Sequence, residues 1–324
     1  MIDRRHLLQG LAASGLATGP LAWAQPSAWP TRPVRFVVAF APAGPADIIA
    51  RLLGQQLGEA LGQSIVIENR GGAGGSLGSG VVAKAEPDGY TVLANTSAYA
   101  VNPAMHRNQS FDSERDLVLV SLVASSPNLI VAAPKLPFRT LKDVMAAAKA
   151  GKLNYATAGA GTTPHLSAEY LFKVLGKVDV THVPFQGAGP ALNAVMSGQV
   201  ELASVALAPA VELVKGGNVR GLAVTSAKRA ASLPDVPTVA ESGFPGFEDV
   251  TWVGILVPSK TPQAIVQRLN REINTILRLP AFQAKLAANG FDPMGGSLAE
   301  AQAFLHDDLA KWARVVKETG ASTE

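Results

Sequence analysis

The sequence predicts an α/β protein of two lobes, each a mostly parallel sheet flanked by helices. Three observations predict it. Short β-branched apolar runs alternate with segments of helical periodicity. The alternation restarts after Pro127, which gives a second α/β unit. A helical tail follows that unit, so the chain crosses between lobes more than once.

Residues 34–40 form a buried strand bounded by Pro33 and by Pro42-Ala43-Gly44. Residues 47–61 place Ile48, Leu52, Leu53, Leu57 and Leu61 at helical spacing, and Gly62 stops the helix. A strand over 64–68, a glycine loop over 71–75 and a helix over 76–85 follow. The Pro87-Asp88-Gly89 turn leads into a strand over 90–95. This βαβαβ order implies a parallel sheet covered on both faces. The second unit opens with a strand over 129–133, and Thr140 with Asp143 resembles a helix N-cap ahead of Leu141, Val144 and Met145. After a strand over 154–157, Pro164 is the first residue of a helix running to 175. Segments 180–183, 190–196, 202–207, 210–215 and 222–225 continue the alternation, and 252–257 is a further apolar strand. Helices over 262–279, over 281–289 and from Leu298 close the chain, the last with a Ser297–Glu300 capping box. Crossings fall near 125–129 and 250–254 without a low-complexity linker, so the hinge is expected to be made of strands. The expected division is 1–24 as an export signal, 25–126 and 252–324 as the first lobe, and 127–251 as the second.

Composition narrows the function. The 324 residues are 48% hydrophobic and 16% charged, enough to bury a sizeable core. The 28 basic and 25 acidic side chains leave a net charge of +3, with no Lys/Arg run and no basic stripe, so nucleic acid is excluded as a partner. The absence of cysteine removes disulfides, thiol catalysis, Cys-ligated zinc and a lipid-modified N-terminal cysteine. Arg4 and Arg5, the apolar run over 7–21 and Ala22-Trp23-Ala24 form a cleavable export signal with Gln25 as the mature start. Arg4-Arg5 before Leu7 and Leu8 also fits a twin-arginine signal. The run is shorter than the ~20 residues of a membrane span, so the protein is expected in the periplasm and not embedded in a membrane.

Two glycine-rich turns carry the candidate chemistry. Gly71-Gly72-Ala73-Gly74-Gly75-Ser76 and Gly159-Ala160-Gly161-Thr162-Thr163 each follow a strand and open a helix, where unpaired N–H groups attract anions. Such turns lie at the ligand-binding edge of an α/β sheet, and together they read as an anion clamp with one jaw from each lobe. The plain alternative is a pair of tight βα turns. Neither matches a phosphate loop or a dinucleotide fingerprint. Gly74-Gly75-Ser76-Leu77-Gly78 matches the five-residue nucleophile elbow, and a serine hydrolase using Ser76 is the alternative reading. His165 and Glu169 lie four apart on one helix face; without a third ligand they read as a polar pair, and no metal or cofactor is expected. Trp252 and Phe185 read as core or pocket wall.

In order along the chain, Trp29-Pro30-Thr31-Arg32-Pro33-Val34-Arg35, Glu68-Asn69-Arg70-Gly71-Gly72-Ala73-Gly74-Gly75, Pro87-Asp88-Gly89-Tyr90-Thr91, His182-Val183-Pro184-Phe185-Gln186-Gly187, and Leu222-Ala223-Val224-Thr225-Ser226 with Arg229 and Leu233-Pro234-Asp235-Val236-Pro237-Thr238 resemble the substrate-binding receptors of tripartite tricarboxylate transporters, the Bug-type receptors. The resemblance spans about 29–320. It implies a two-lobed periplasmic-binding-protein fold of type II that closes on a small carboxylate held by backbone amides, in a non-enzymatic monomer that hands its ligand to membrane permease subunits. It maps the first βα turn onto Phe40, Ala41, Pro42, Ala43, Gly44 and Asp47, and the facing loop onto Gly159, Gly161, Thr162 and His165, with Ser76 and Ser97 as further pocket residues. Gly44 and Gly161 are expected to permit close ligand approach and positive φ. The chain departs from the family pattern at Ala43, Phe185, Gln186 and the Ser204-Val205-Ala206-Leu207 strand, which makes the second lobe less polar and an aromatic carboxylate plausible. A sensor ligand-binding protein of the same fold is the remaining alternative.

Overall fold

The computed structural model describes residues 29–105 and 109–321, so the export signal expected over 1–24 lies outside the described residues. The first unit begins with β1 (Val34–Val38), α1 (Pro45–Leu61), β2 (Ile65–Asn69), α2 (Ser76–Ala83) and β3 (Thr91–Thr96). β1 pairs in parallel with β2 from Val34↔Ile65 and with β3 from Arg35↔Thr91, as the βαβαβ reading requires. In α1 the fully buried Ile49, Leu53 and Leu57 recur every fourth residue and seal against the sheet. Pro45 opens this helix, and Gly62, left-handed at φ 69°, closes it.

Two elements differ from the sequence expectation. A short helix, α3 (Ala98–Met105), follows β3 where the sequence reading assigned no element, and Pro103 lies inside it. The strand expected from residue 129 is part of a much longer one, β4 (Leu117–Ala132), with Pro127 inside. Pro127 sits where β4 changes partners, so its missing N–H interrupts no continuous ladder.

The second unit contains α4 (Leu141–Ala150), β5 (Leu153–Thr157), α5 (Thr163–Glu169), β6 (Val180–Pro184), α6 (Ala188–Ser197), β7 (Leu202–Ala206), α7 (Val211–Lys215) and β8 (Arg220–Val224). α5 continues into a π turn over Tyr170–Leu175. β5 pairs in parallel with β6 and β7. The chain returns through β9 (Val250–Pro258) and ends with α8 (Gln263–Leu277), α9 (Pro280–Ala288), the two-residue β10 (Asp292–Pro293) and α10 (Leu298–Thr319).

The strands follow the order β2-β1-β3-β9-β4-β7-β5-β6. Parallel strands occupy both ends, and the antiparallel β4 and β9 join them. The two lobes share β4. Its first part pairs with β9 as far as Pro127↔Val250, and its last part pairs with β7 from Asn128↔Ala206. One core surrounds the first sheet, while two smaller cores cover the faces of the second. α10 is tied to the crossing strands, because the buried Trp252 of β9 donates its indole N–H to Asp308 Oδ2 at 2.8 Å.

The expected N-cap at Thr140 with Asp143 is a full capping box, as is the expected one at Ser297–Glu300. Replacing Thr140 by Ala removes the acceptor for the Asp143 N–H, so stability should fall by about 0.5–2 kcal/mol. A lower urea midpoint at unchanged m-value checks this.

Candidate functional site

Helices α1, α5 and α6 begin where β1, β5 and β6 end, and their first residues meet in one cavity. Gly44 and Pro45 of α1, Thr162 and Pro164 of α5, Ala188 of α6 and Thr251 of β9 line a space of about 20 Å³, enough for one water-sized group. A second space of about 240 Å³ adjoins it and shares Phe40 and Ala158; the 72–74 turn, Gly159, Phe185 and Gln186 form its other walls. No Lys, Arg, Asp or Glu lines either cavity.

The lobes touch around these spaces. A Cβ on Gly74 would sit 2.5 Å from the Ala160 carbonyl oxygen, so only glycine permits that approach. Ala41 packs against Gly187 of the opposite lobe, where an added Cβ would meet the Ala41 Cβ at 3.0 Å. Ser97 Oγ lies 2.9 Å from Thr163 Oγ1 and forms a hydrogen bond across the cleft.

The first jaw is shaped by Asp47. Its carboxylate accepts the Ala43 N–H at 3.0 Å, Arg51 Nε and a terminal Arg51 nitrogen at 2.9 Å each, and Asn69 Nδ2 at 3.0 Å. Burial pushes its pKa up, but the bonds from Arg51, Ala43 and Asn69 outweigh that and hold it below the usual value. Asp47 is therefore occupied by the turn it builds. Pro45 has no N–H and the Ile48 N–H returns to Gly44 O at 3.0 Å, so the remaining N–H groups of this jaw belong to Gly44, Ala46 and Asp47.

In the second jaw, Thr162 Oγ1 donates to Gly159 O at 2.8 Å, and the Gly161 N–H donates to His165 Nδ1 at 3.3 Å. The N–H groups of Thr162 and Thr163 follow it at the start of α5. The positive φ expected at Gly44 falls instead on Ala43, at 63°, while Gly44 itself is extended at φ −83°. Gly161 does adopt positive φ, at 77°.

The structure thus brings Phe40, Gly44, Gly159 and Thr162 to the cavities and sets Ser97 beside them. Ala41 bridges the lobes, while Pro42 and Ala43 lie exposed at the tip of the first turn. His165 is buried behind its loop. Ser76 opens α2, and its buried Oγ has no hydrogen-bond partner among the described residues, so no histidine engages it as a base. Among the described residues no group of three or more His, Asp or Glu is placed to hold a metal ion.

Sequence reasoning missed the polar chain that runs from the cleft into the crossing strands. Thr163 Oγ1 lies 2.8 Å from Thr251 Oγ1, which donates to Asn128 Oδ1 at 2.6 Å. Asn128 Nδ2 donates to Asp249 Oδ2 at 2.7 Å, Ser167 donates to the same oxygen, and Lys311 of α10 reaches Asp249 Oδ1 at 3.4 Å. Burial raises the Asp249 pKa to about 6 against the opposing pull of Lys311 and Ser167. The available signal was Asn128 at the head of the apolar 129–133 run and Thr251 just before the apolar 252–257 run.

Residues 49–321 match the family described as tripartite tricarboxylate transporter family receptor. BugT of Bordetella pertussis is 36% identical over 316 residues, covering 96% of this chain and 95% of that protein. A solved R. palustris protein with adipate is 36% identical with a TM-score of 0.88, covering 91% of this chain and 99% of its own. MatC from Rhodopseudomonas palustris with bound malate is 33% identical with a TM-score of 0.84, covering 89% of this chain and all of its own.

The left-handed conformation of Ala43 gives this jaw a measurable strain. Ala43→Gly keeps the N–H that Asp47 binds and relieves the φ penalty, offset in part by the freer unfolded glycine. Stability should rise by about 0.5–1 kcal/mol, read as a higher denaturation midpoint.

Proposed function

The chain belongs to the family of tripartite tricarboxylate transporter receptors, and on that premise we propose that it closes its two lobes on a small carboxylate in the periplasm and presents it to membrane permease subunits. The family is one of periplasmic solute-binding receptors, not of enzymes. Among the described residues no helix is long and apolar enough to cross a membrane. The proposal treats 25–126 and 252–324 as one lobe and 127–251 as the other, in a protein that acts as a monomer.

One observation carries the reading. Three helix N-termini converge on a small cavity that no charged side chain lines. Each terminus presents partial positive charge and N–H donors, so an anion is favoured there without an ion pair. One carboxylate oxygen fits this place, and the rest of the solute extends between Phe40 and Phe185 in the larger space. The adipate- and malate-bound structures support a carboxylate as the ligand class. The two phenyl rings, with the Gln186 amide as the polar side chain beside them, favour a mono- or dicarboxylate with an apolar or aromatic body.

Closure is a shift of population toward a state whose contacts exist only when the lobes meet. The Ser97–Thr163 bond is such a contact. Ser97→Ala removes it while leaving the backbone N–H groups of both jaws in place, so solute affinity should fall about fivefold, the equivalent of one ordinary hydrogen bond of ~1 kcal/mol. Solute-induced compaction, read by small-angle scattering, should then require proportionately more solute.

The clamp is tested by thermal shift against adipate, malate and benzoate, followed by calorimetry. A carboxylate at 100 times its Kd should add about 2.7 kcal/mol of stability. Gly44→Val is compatible with the extended backbone there and should fold, yet its side chain fills the approach to the N–H groups. Loss of one charge-assisted bond of ~1.5–3 kcal/mol should weaken binding at least tenfold, whereas no single Lys or Arg→Ala change should do so. Normal binding by Gly44→Val together with one indispensable basic side chain would show that an ion pair holds the solute.

A further inference from the structure

Behind the second jaw lies a buried polar cluster that contributes nothing to the cavity walls. The rings of His165 and His182 stack with centroids 3.9 Å apart. Tyr155 packs 5.1 Å from His182 and donates its hydroxyl to Glu169 Oε1 at 2.6 Å. Lys173 pairs with Glu169, and His165 Nε2 stands 4.0 Å from Glu169 Oε1. This juxtaposition is too elaborate for the bland polar pair that the i, i+4 spacing of His165 and Glu169 implied.

We propose that His165 and His182 form a neutral imidazole pair that positions the second jaw without touching the bound solute, His165 by holding Gly161 and His182 by holding Thr157. The inference rests on that jaw being a carboxylate-binding element.

The hydrogen bonds dictate the arrangement. His165 Nδ1 accepts the Gly161 N–H, so it carries no proton, and the ring's proton sits on Nε2 toward Glu169. His182 Nε2 lies 2.6 Å from Thr157 Oγ1. The same hydroxyl accepts the Gly159 N–H at 3.2 Å and lies 3.2 Å from Gly159 O. Both glycines of the turn are thereby tied to a ring. Gly159 and Gly161 stand at φ 142° and 77°, so the turn has little conformational preference of its own and takes its shape from these anchors. With its Gly161 N–H committed to His165, the jaw directs its next N–H groups, at Thr162 and Thr163, toward the cleft.

Neutrality follows from the surroundings. Burial lowers the His165 pKa to about 4, assisted by Lys173. Burial also lowers that of His182 to about 3, assisted by His165 and Lys173 and opposed by Glu169. The groups facing the pair are Glu169 and Lys173 from α5 and its π turn, Tyr155 from β5, and Thr157 beside His182. Burial and the Glu169 carboxylate push the Tyr155 phenol well up, so it remains a donor. Unfolded histidine binds protons from about pH 6.5 downward, while the folded pair stays neutral until about 4. The unfolded state therefore holds more protons in that window, and the pair's contribution to stability is lost as pH falls through it. Protonation of His165 Nδ1 would expel the Gly161 N–H and release the jaw.

The test needs no solute for its first arm. Nitrogen-15 spectra of the histidine rings should show His165 Nδ1 unprotonated from pH 8 to pH 5. The Gly161 amide should exchange at least tenfold faster in His165→Phe, which keeps an aromatic ring and loses the acceptor. His165→Asn, whose amide oxygen occupies the place of Nδ1, should restore protection. In the second arm, adipate affinity should fall at least fivefold in His165→Phe and recover in His165→Asn. A protonated Nδ1 at pH 7, or Gly161 exchange indifferent to the acceptor, overturns the proposal; if His165→Phe does not fold, the wild-type ring spectrum and His165→Asn still decide it. Failure of the wild type to bind any carboxylate tried, with the ring and amide results as expected, would leave the positioning intact and refute the carboxylate reading instead.

Discussion

The cleft depends on where parallel strands end. A strand that feeds a helix packed back on its own sheet must start that helix at the strand's carboxyl edge. β1, β5 and β6 obey this rule, so α1, α5 and α6 all present their N-termini to one place. Each terminus favours an anion by about 0.3–1 kcal/mol, and by up to ~2 where partly buried. A buried lysine or arginine would attract an anion more strongly, but desolvating it costs several kcal/mol whenever the cleft stands empty. Backbone dipoles carry no such penalty, because they are already part of the folded helices. Asp47 serves this arrangement from behind, fixing the first turn through Ala43, Arg51 and Asn69.

The crossing strands impose the second constraint. β4 and β9 pass between lobes through fully enclosed ground, so each polar group there needs a partner. Asn128, Thr251, Asp249 and Ser167 satisfy one another, and Lys311 ties the group to α10. The chain reaches the cleft through Thr163 and Ser97. Under the proposed closure, opening would exchange the Ser97–Thr163 contact for water at a net cost of only ~1 kcal/mol, small enough for a bound solute to decide between open and closed states.

Much of the fold was legible because the signals were local. The helical spacing of α1, the Thr140 and Ser297 caps and the apolar strands each depend on a few neighbouring residues. The extent of β4 was not, because a proline interrupts it and its first part pairs with β9, more than a hundred residues away. At the site, the glycine-rich turns drew attention to loops that border the cavities, and of the residues named from the family resemblance Phe40, Gly44, Gly159 and Thr162 line them. The roles within those loops were illegible. Which of Ala43 and Gly44 takes positive φ is set by the Asp47 bond, and whether His165 faces the solute or the loop is set by the orientation of Gly161. Both are properties of a turn closed on itself in three dimensions.

The departures at Phe185 and Gln186 acquire a physical meaning from their position. Both line the larger space, opposite the glycine turn of the first lobe and next to Phe40. Under the proposed function, one carboxylate is satisfied at the helix termini. A second charged group in the larger space would find the Gln186 amide as the side-chain donor on its wall. An ionised group there would have no charged side chain to pair with, and leaving water for a partly apolar cavity costs it hydration. An aromatic or aliphatic body meets no such penalty and gains contact with both phenyl rings. The same backbone clamp therefore serves different solutes according to what two or three side chains place beyond it. Under that proposal, a preference for less polar acids would follow from Phe40, Phe185 and Gln186, with the turns of the clamp unchanged in kind.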